Sequence, residues 1–200
     1  MTAGRSPFPR CGDCVDQVRG RGGEFRPAGG VWPLSPGGVS VKEICYRPIG
    51  TVHSPFDDVK GVPIQPTGAI GIRGAIQVAP EFADGLKDLE GFSHILLIYH
   101  FHLSKGYSLL VTPFLDDTPH GVFATRAPRR PNSIGFSVVR LISIEGCRLT
   151  IEDVDIVDGT PLLDIKPYVP DFDIRQRERI GWLTGKVGTI SATRSDERFA

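Results

Sequence analysis

The chain has 200 residues, of which 40% are hydrophobic, and this is enough for one globular domain with tails. Its 23 basic and 23 acidic residues cancel, so no overall positive field attracts nucleic acid. The sequence has neither a run of about eighteen apolar residues for a membrane span nor the apolar core of a signal peptide. Its four cysteines are too sparse for a disulfide framework, which indicates a reduced, cytoplasmic protein.

Residues 1–40 are predicted to form a disordered arm, because they are rich in Gly, Pro and Arg and lack apolar periodicity. The arm contains a CxxC pair, Cys11 and Cys14. One such pair is half of a zinc site, which Cys45 and His53 could complete. Because no second closely spaced pair follows, two free thiols on a tail are the favoured interpretation, and no metal is predicted.

The next segment predicts two strands and a helix. Residues 44–53 alternate as a first strand, and residues 75–78 form a second after a loop over residues 56–68. Pro80 suits the first position of a short helix over residues 81–89, which carries acids near its start.

The most apolar segment, residues 92–102, is rich in Ile, Tyr and Phe and has no helix caps, which predicts a long buried strand. The two-residue period of a strand would place His94, His100 and His102 on one face. The first two would lie about 20 Å apart, too far for one metal ion. We therefore expect His102 to face a substrate or to be hydrogen-bonded.

Further strands are predicted over residues 136–144, 148–156 and 161–166, the first two joined as a hairpin by Glu145-Gly146. Many short strands with one modest helix predict a mainly β fold, a small single-domain barrel over residues 41–173 with one or two short helices. No glycine-rich βαβ unit occurs, so the prediction is not a Rossmann fold.

Residues 174–200 are predicted to form a helix and a tail. Asp173 is a suitable cap for a helix over residues 174–183, whose arginines we expect to lie on a solvated face. Residues 185–200 are expected to form a final strand or a loose tail.

Two polar motifs stand out. Residues 120–137 read HGVFATRAPRRPNSIGFS, in which Arg126, Arg129 and Arg130 stand among prolines that stiffen the loop, so that the guanidinium groups are held ready for an anion. Residues 158–168 read DGTPLLDIKPY and lie in an acidic segment. A basic surface beside an acidic pocket would suit an RNA substrate together with a cationic small molecule.

The patterns RxPxRPNxIGxS and DGTPxLDIKPY resemble the TsaA/TrmO family of tRNA methyltransferases. Three further segments fit: PIGTVHSPF at 48–56, GVPIQP at 61–66 and LEGFSHILLIYHFH at 89–102. Five ordered motifs make the resemblance specific. It implies a β-barrel homodimer that uses S-adenosylmethionine (SAM) to methylate N6 of N6-threonylcarbamoyladenosine in the anticodon stem-loop of tRNA.

The resemblance also implies a cofactor pocket, carried over residue by residue. Bacterial members often have Arg at the position of Ile64, so an electrostatic contact there is lost. Asp155 would accept hydrogen bonds from ribose hydroxyls or face the positive sulfonium. The full implied set is Pro63, Ile64, Gln65, His102, Leu103, Arg126, Phe136, Asp153, Val154, Asp155 and Ile156.

For catalysis we expect Asp164 to take or polarise the proton on N6, Lys166 to neutralise a carboxylate or phosphate, and Tyr168 to stack on the base. The alternative is an Asp164–Lys166 ion pair with Tyr168 capping the core. Arg129 and Arg130 are the expected tRNA contacts, since forked guanidiniums match phosphate, unless the loop is merely solvated. The competing function is a barrel that binds SAM, a nucleotide or RNA without catalysis.

Overall fold

The computed structural model describes residues 44–175 and 178–199, so the predicted arm and the CxxC pair lie outside the described residues. The chain divides into two units, residues 1–46 and residues 47–200. The fold described below is that of the second unit.

The second unit is built on a closed antiparallel barrel, which confirms the predicted fold class. Its strands follow one another around the barrel in the order β1, β2, β7, β6, β3, β8, and a two-stranded sheet of β4 and β5 lies outside it. The bounds are β1 Gly50–His53, β2 Arg73–Val78, β3 His94–His100, β4 Leu110–Val111, β5 His120–Gly121, β6 Ile134–Glu145, β7 Arg148–Glu152 and β8 Thr160–Pro167. The predicted hairpin is β6 and β7, with Glu145 opposite Arg148.

Alternating residues of the strands fill the barrel. On β3 the odd-numbered residues Ile95, Leu97 and Tyr99 are buried, while the even-numbered ones are less so, as the strand period requires. Gly135 lies opposite Tyr99 on β6, and a Cβ added there would overlap the Tyr99 ring. Glycine at this position therefore lets the ring cross β6.

The first strand is shorter than predicted. It begins at Gly50 rather than at residue 44. Pro48 has no N–H with which to pair, and Ile44 and Tyr46 are exposed. Within the predicted range 44–53, only residues 50–53, which pair with neighbouring strands of the barrel, form a strand.

The helix predicted over residues 81–89 is instead a 3-10 helix, Pro80–Leu86, followed by a second one, Leu89–Gly91. Pro80 does occupy the first turn, as expected. Asp88 adopts a left-handed backbone conformation with φ 65°, which separates the two helices.

Of the predicted helix over residues 174–183, none of the described residues, 174–175 and 178–183, is α-helical. The α-helix α1 is Pro170–Asp173, and Asp173 closes it by accepting the N–H of Val169 rather than capping a following helix. Ile174 is already extended, and Gly181 has φ 60°. The backbone is therefore non-helical at two positions within the expected helix.

The end of the chain is neither the strand nor the loose tail that the sequence suggested. It forms 3-10 helices at Gly181–Leu183, Val187–Ala192 and Glu197–Phe199. Ser195 exchanges backbone hydrogen bonds with Gly61 and Val62 at 2.9 and 2.8 Å, and Phe199 is buried. Tertiary contacts thus override the weak local pattern. Within the described ranges, no helix combines the length and apolar character that a membrane crossing requires.

Candidate active site

A cavity of about 680 Å³ opens at one end of the barrel, where β3 and β7 end and β6 and β8 begin. A volume of this size suits a nucleoside-like ligand. Nine of the residues implied as cofactor contacts line it: Pro63, Ile64, Gln65, His102, Leu103, Arg126, Phe136, Asp155 and Ile156.

The other two implied contacts, Asp153 and Val154, do not line the cavity. Val154 is fully buried in the barrel core. Asp153 has φ 67°, and its Oδ1 accepts the N–H of Gly71 at 2.8 Å, which ties the β7 end to the loop before β2. Neither residue follows a strand alternation, because β7 ends at Glu152 and the positive φ of Asp153 turns the chain before Asp155.

Arg126 lies at the rim of the cavity with its guanidinium held from two sides. Its Nη1 donates to Oε1 of Gln65 at 2.5 Å, and its Cζ lies 4.6 Å from the centre of the Phe136 ring. The side chain remains exposed. A charged fork fixed in this way can bind a carboxylate or phosphate at little cost in conformational entropy.

Asp155 lies deeper, at the end of a short hydrogen-bonded chain. Ser137 Oγ donates to its Oδ1 at 2.6 Å, and the Tyr99 hydroxyl lies 3.1 Å from the same Oγ. Burial raises the pKa of Asp155 to about 7, against the opposing effects of the Ser137 hydrogen bond and the Arg126 charge. Burial, together with the Asp155 charge, also raises the pKa of Tyr99. The carboxyl group is therefore poised to ionise when a cation arrives.

Tyr99 and Ser137 were not among the sequence-predicted site residues. The signal for Tyr99 was available: it is a polar-tipped residue at an inward position of an aliphatic strand, where its hydroxyl needs a partner. Ser137 gave no comparable signal, because its inward direction follows from strand register rather than from residue type.

His102 lines the cavity, but not by the predicted route. The strand ends at His100, and the His102 N–H bonds to the His100 carbonyl at 2.8 Å, so the chain turns and the three histidines do not share one face. His102 Nδ1 lies 3.4 Å from Oγ1 of Thr160. Burial, assisted by the neighbouring His100, lowers the pKa of His102, which leaves a neutral imidazole at the cavity.

The three residues expected to carry catalysis are not brought to this cavity. Asp164 and Lys166 form an ion pair, with 2.8 Å between Oδ2 and Nζ, on exposed parts of β8. They lie opposite Ile98 and Leu96, the outward positions of β3. The Tyr168 ring packs edge-on to His94, 6.2 Å between centres, rather than capping the core. Within one chain these residues belong to the outer wall of the barrel.

The two arginines expected to contact tRNA have different surroundings. Arg130 donates through Nη1 to the carbonyls of Val122, Thr125 and Ala127 at 3.0, 2.8 and 3.4 Å, so it holds its own loop together. Arg129 lines a second cavity of about 420 Å³, and its buried Nε has no hydrogen-bond partner among the described residues. The loop therefore does not give the Arg129 guanidinium the carbonyl partners that Arg130 has.

Comparison with known proteins now identifies the family. The family model described as the tRNA-methyltransferase O N-terminal domain matches residues 51–174. The chain belongs to the tRNA-methyltransferase O family. The predicted TsaA/TrmO membership is therefore confirmed.

Three relatives of the chain show how far the likeness extends. A protein of Pyrococcus abyssi, named a probable S-adenosyl-L-methionine-binding protein, is 61% identical over 156 residues, 78% of this chain and 85% of that protein. The mouse protein named tRNA (adenine(37)-N6)-methyltransferase is 38% identical over 75% of this chain, which is 36% of the mouse protein. A crystal structure of TrmO from Pseudomonas aeruginosa has a TM-score of 0.60 and 40% identity, covering 70% of this chain and 62% of that one.

Metal ligands are not grouped in the part of the chain that the structure describes. No cluster of three or more His, Cys, Asp or Glu side chains there could hold an ion. His53, the proposed partner of the CxxC pair, has its Nδ1 3.1 Å from Oδ1 of Asp158. The pair itself, Cys11 and Cys14, lies outside the described residues.

The C-terminal end supplies a further part of the cavity wall that the sequence did not predict. These residues follow the range matched by the tRNA-methyltransferase O family model. Their hydrophobic members are spaced irregularly, because 3-10 turns and glycines separate them, so no periodicity marked them as buried. The lining residues are Trp182, Leu183, Ile190, Ser195, Asp196 and Phe199.

Proposed function

We propose that the chain transfers a methyl group from SAM to N6 of N6-threonylcarbamoyladenosine in the anticodon loop of tRNA. Family membership supports the coarse part, that it is a SAM-dependent tRNA methyltransferase. The N6 position is the one for which the mouse and rat relatives are named, and the threonylcarbamoyl group and the anticodon loop are what the TsaA/TrmO resemblance implies. A tRNA substrate also favours a cytoplasmic location.

The single observation that carries the proposal is the joint placement of Arg126 and Asp155 in one cavity. SAM carries a sulfonium, an amino-acid carboxylate and two ring systems, and it would supply an electrophilic methyl group. The residues present fit it: Asp155 is a partly buried carboxylate suited to a positive charge, and the Arg126 fork suits a carboxylate. Phe136 adds a half-exposed ring at the rim.

The acceptor nitrogen is a poor nucleophile, because its lone pair is delocalised into the purine and the carbamoyl group. Rate enhancement must therefore come from holding donor and acceptor together in a cavity that excludes water. The apolar lining contributed by Phe123, Ile134 and Leu103 serves that exclusion. The neutral His102 imidazole can hydrogen-bond a ligand without repelling the cationic donor.

The roles proposed for Asp164, Lys166 and Tyr168 require a second copy of the chain. They lie on the outer wall of the barrel, away from the cavity of their own chain. A homodimer, as the family resemblance implies, is an arrangement that can bring the outer wall of one barrel to the cavity of the other. We propose that these residues complete the partner's site.

We propose that the anticodon stem-loop docks beside the loop that carries Arg129 and Arg130. The Nε of Arg129 has no hydrogen-bond partner among the described residues, which favours Arg129 as the phosphate contact, while Arg130 holds the conformation of that loop. Forked donors of this kind position a nucleic acid without reading its sequence.

The decisive experiment uses labelled SAM and tRNA from cells with and without the threonylcarbamoyl modification. Transfer of label to the modified tRNA alone supports the proposal. Transfer to both tRNAs would keep the methyltransferase and overturn the substrate. Tight binding of SAM with no transfer to either tRNA would support the non-catalytic barrel instead.

A further inference from the structure

The wall of the cavity has two parts with different chemistry. One part carries the residues that resemble cofactor contacts, among them Gln65, Arg126 and Asp155. The other part is largely apolar and aromatic, with Phe114, Leu115, Phe123, Trp182, Leu183 and Phe199. We name residues 181–199, which supply half of that second part, the C-terminal wall.

The C-terminal wall is fixed to the rest of the rim along its whole length. At its start, the indole Nε1 of Trp182 donates to the carbonyl of Ala124 at 2.8 Å. In its middle, Lys186 Nζ lies 2.5 Å from Oδ2 of Asp116. At its end, Ser195 Oγ accepts the N–H of Val62, and Arg198 donates to the carbonyl of Pro113. A segment anchored at four places can define the shape of a binding site.

Trp182 is the residue of this wall whose orientation is most closely determined. Its ring stacks on His120, with centres 4.5 Å apart and planes 18° from parallel, and the hydrogen bond to Ala124 fixes its rotation. His120 is held in turn by Asp116, 3.0 Å from Nε2. The indole therefore presents a preorganised aromatic surface to the cavity.

A methyl transfer needs a donor and an acceptor in one cavity, and the polar part of the wall accounts for the donor. The aromatic part is suited to a flat, extruded base, because stacking on aromatic rings is the usual means of holding unpaired nucleotides. We propose that the C-terminal wall forms the acceptor side of the site and that Trp182 stacks on the adenine to be methylated. The inference rests on the proposed function and adds to it a specificity-determining residue outside the matched family range.

The first test separates acceptor binding from donor binding. Trp182→Ala should raise the KM for a modified anticodon stem-loop by about 5-fold to 100-fold, the usual effect of losing one stacking contact, while the Kd for SAM stays within about 2-fold. Trp182→Phe keeps a ring and should recover part of the loss. Phe172→Ala, which removes an exposed aromatic ring outside the cavity lining, is the matched control and should leave both constants unchanged.

A second readout needs no activity. The chain has two tryptophans, so Trp32→Phe leaves Trp182 as the only one. Addition of the modified stem-loop to this variant, saturated with S-adenosylhomocysteine, should quench the indole emission, and the unmodified stem-loop should quench it less.

Either of two results would overturn the inference. If Trp182→Ala weakens SAM binding and leaves the stem-loop KM unchanged, the indole belongs to the donor side. If neither constant changes and the emission is not quenched, the wall is scaffolding, although wild-type methyl transfer would still support the proposed function. Absence of transfer by the wild-type protein would overturn the proposed function, and the quenching experiment would still decide whether the indole meets a base.

Discussion

Ser137 Oγ donates a hydrogen bond of 2.6 Å to Oδ1 of Asp155, and this contact links the barrel core to the cavity. Ser137 is itself buried on β6 and lies 3.1 Å from the Tyr99 hydroxyl. The carboxyl group thus has one strong donor, a distant positive charge at Arg126 and little water. Its ionisation is therefore sensitive to any ligand that brings a positive charge.

The first prediction concerns the pH dependence of SAM binding. Burial raises the pKa of Asp155 to about 7, so below pH 7 most molecules carry a neutral carboxyl group and above it an anion. A sulfonium favours the anion, so SAM affinity should rise by up to about tenfold for each pH unit below 7 and level off above pH 8. Calorimetry between pH 5.5 and 8.5 measures this. Asp155→Asn should flatten the profile, and a wild-type profile as flat as that of Asn would contradict the assignment.

The second prediction concerns stability in the absence of ligands. The folded-state pKa of Asp155 is raised above the ordinary value of 3.8, so its stabilising contribution is fully present below about pH 4 and is lost as the pH rises through about 7. Asp155→Asn, which cannot ionise, should therefore gain stability over wild type between pH 5 and 8, on the order of 2 kcal/mol. Urea unfolding at pH 4, 6 and 8 tests the sign. If the difference in unfolding free energy between Asp155→Asn and wild type does not widen with pH, burial does not control the ionisation of this carboxyl group.

The barrel was predictable because its signals are local and repeated. The long strand around Leu97 and the hairpin at Glu145-Gly146 each combine a two-residue period with a turn, and both are present. The family motifs added the cavity residues at Gln65 and Arg126. These lie 61 residues apart in the chain, and no periodicity relates them.

The other features of the site could not be predicted from the sequence, because they depend on how the strands pair when the barrel closes. The direction of Tyr99 toward Ser137 depends on the glycine opposite it at position 135 and on the register of β3 against β6. The outward position of Asp164 follows from the register of β8 against β3, which a motif does not reveal. The C-terminal wall has no hydrophobic period, since its turns are 3-10 helices. Its anchors are distant in the chain, and the Ser195 contact with Val62 spans 133 residues.

The third prediction distinguishes the contribution of the Arg126 charge from that of the guanidinium geometry at the cavity rim. Arg126→Ala should weaken SAM binding by about 10-fold to 100-fold, the usual range for losing a hydrogen bond to a charged group, with little change in stability because the side chain is exposed. Arg126→Lys keeps the charge but loses the fork that meets Gln65 and the stacking on Phe136, so it should recover only part of the loss.

Arg140→Ala is the matched control for that prediction. Arg140 is an exposed arginine on β6 whose ion-pair partner is Glu152, 3.9 Å away, and it does not line the cavity. Equal losses of SAM affinity in Arg126→Ala and Arg140→Ala would show that only overall charge matters.

The fourth prediction assigns different roles to two neighbouring arginines. Arg130→Ala removes the donor that three loop carbonyls share, so it should lower the free energy of unfolding by about 1–3 kcal/mol. Arg129→Ala should leave stability nearly unchanged, weaken tRNA binding and reduce the slope of log affinity against log salt by about one. Urea unfolding and filter binding at several salt concentrations measure the two effects. If Arg129→Ala lowers the stability and Arg130→Ala weakens tRNA binding instead, the roles of the two arginines are exchanged.

The fifth prediction tests whether two chains share each site. Arg126 lies in the cavity and Asp164 on the outer wall of the same barrel. In a dimer whose sites combine the cavity of one chain with the outer wall of the other, a mixed pair of Arg126→Ala and Asp164→Asn has one doubly damaged site and one intact site. At a SAM concentration that saturates only the wild-type protein, both single variants should be impaired. Mixing them, after unfolding and refolding them together, should therefore restore part of the methyl-transfer activity.

A mixture of Arg126→Ala and Asp155→Asn provides the control, because both residues line the cavity of one chain and each mixed site carries one lesion. That mixture should stay inactive. Light scattering on the wild-type protein supplies the oligomeric state independently. If Asp164→Asn alone retains full activity, its catalytic role is excluded, and the exposed ion pair with Lys166 is only a surface contact worth less than about 1 kcal/mol.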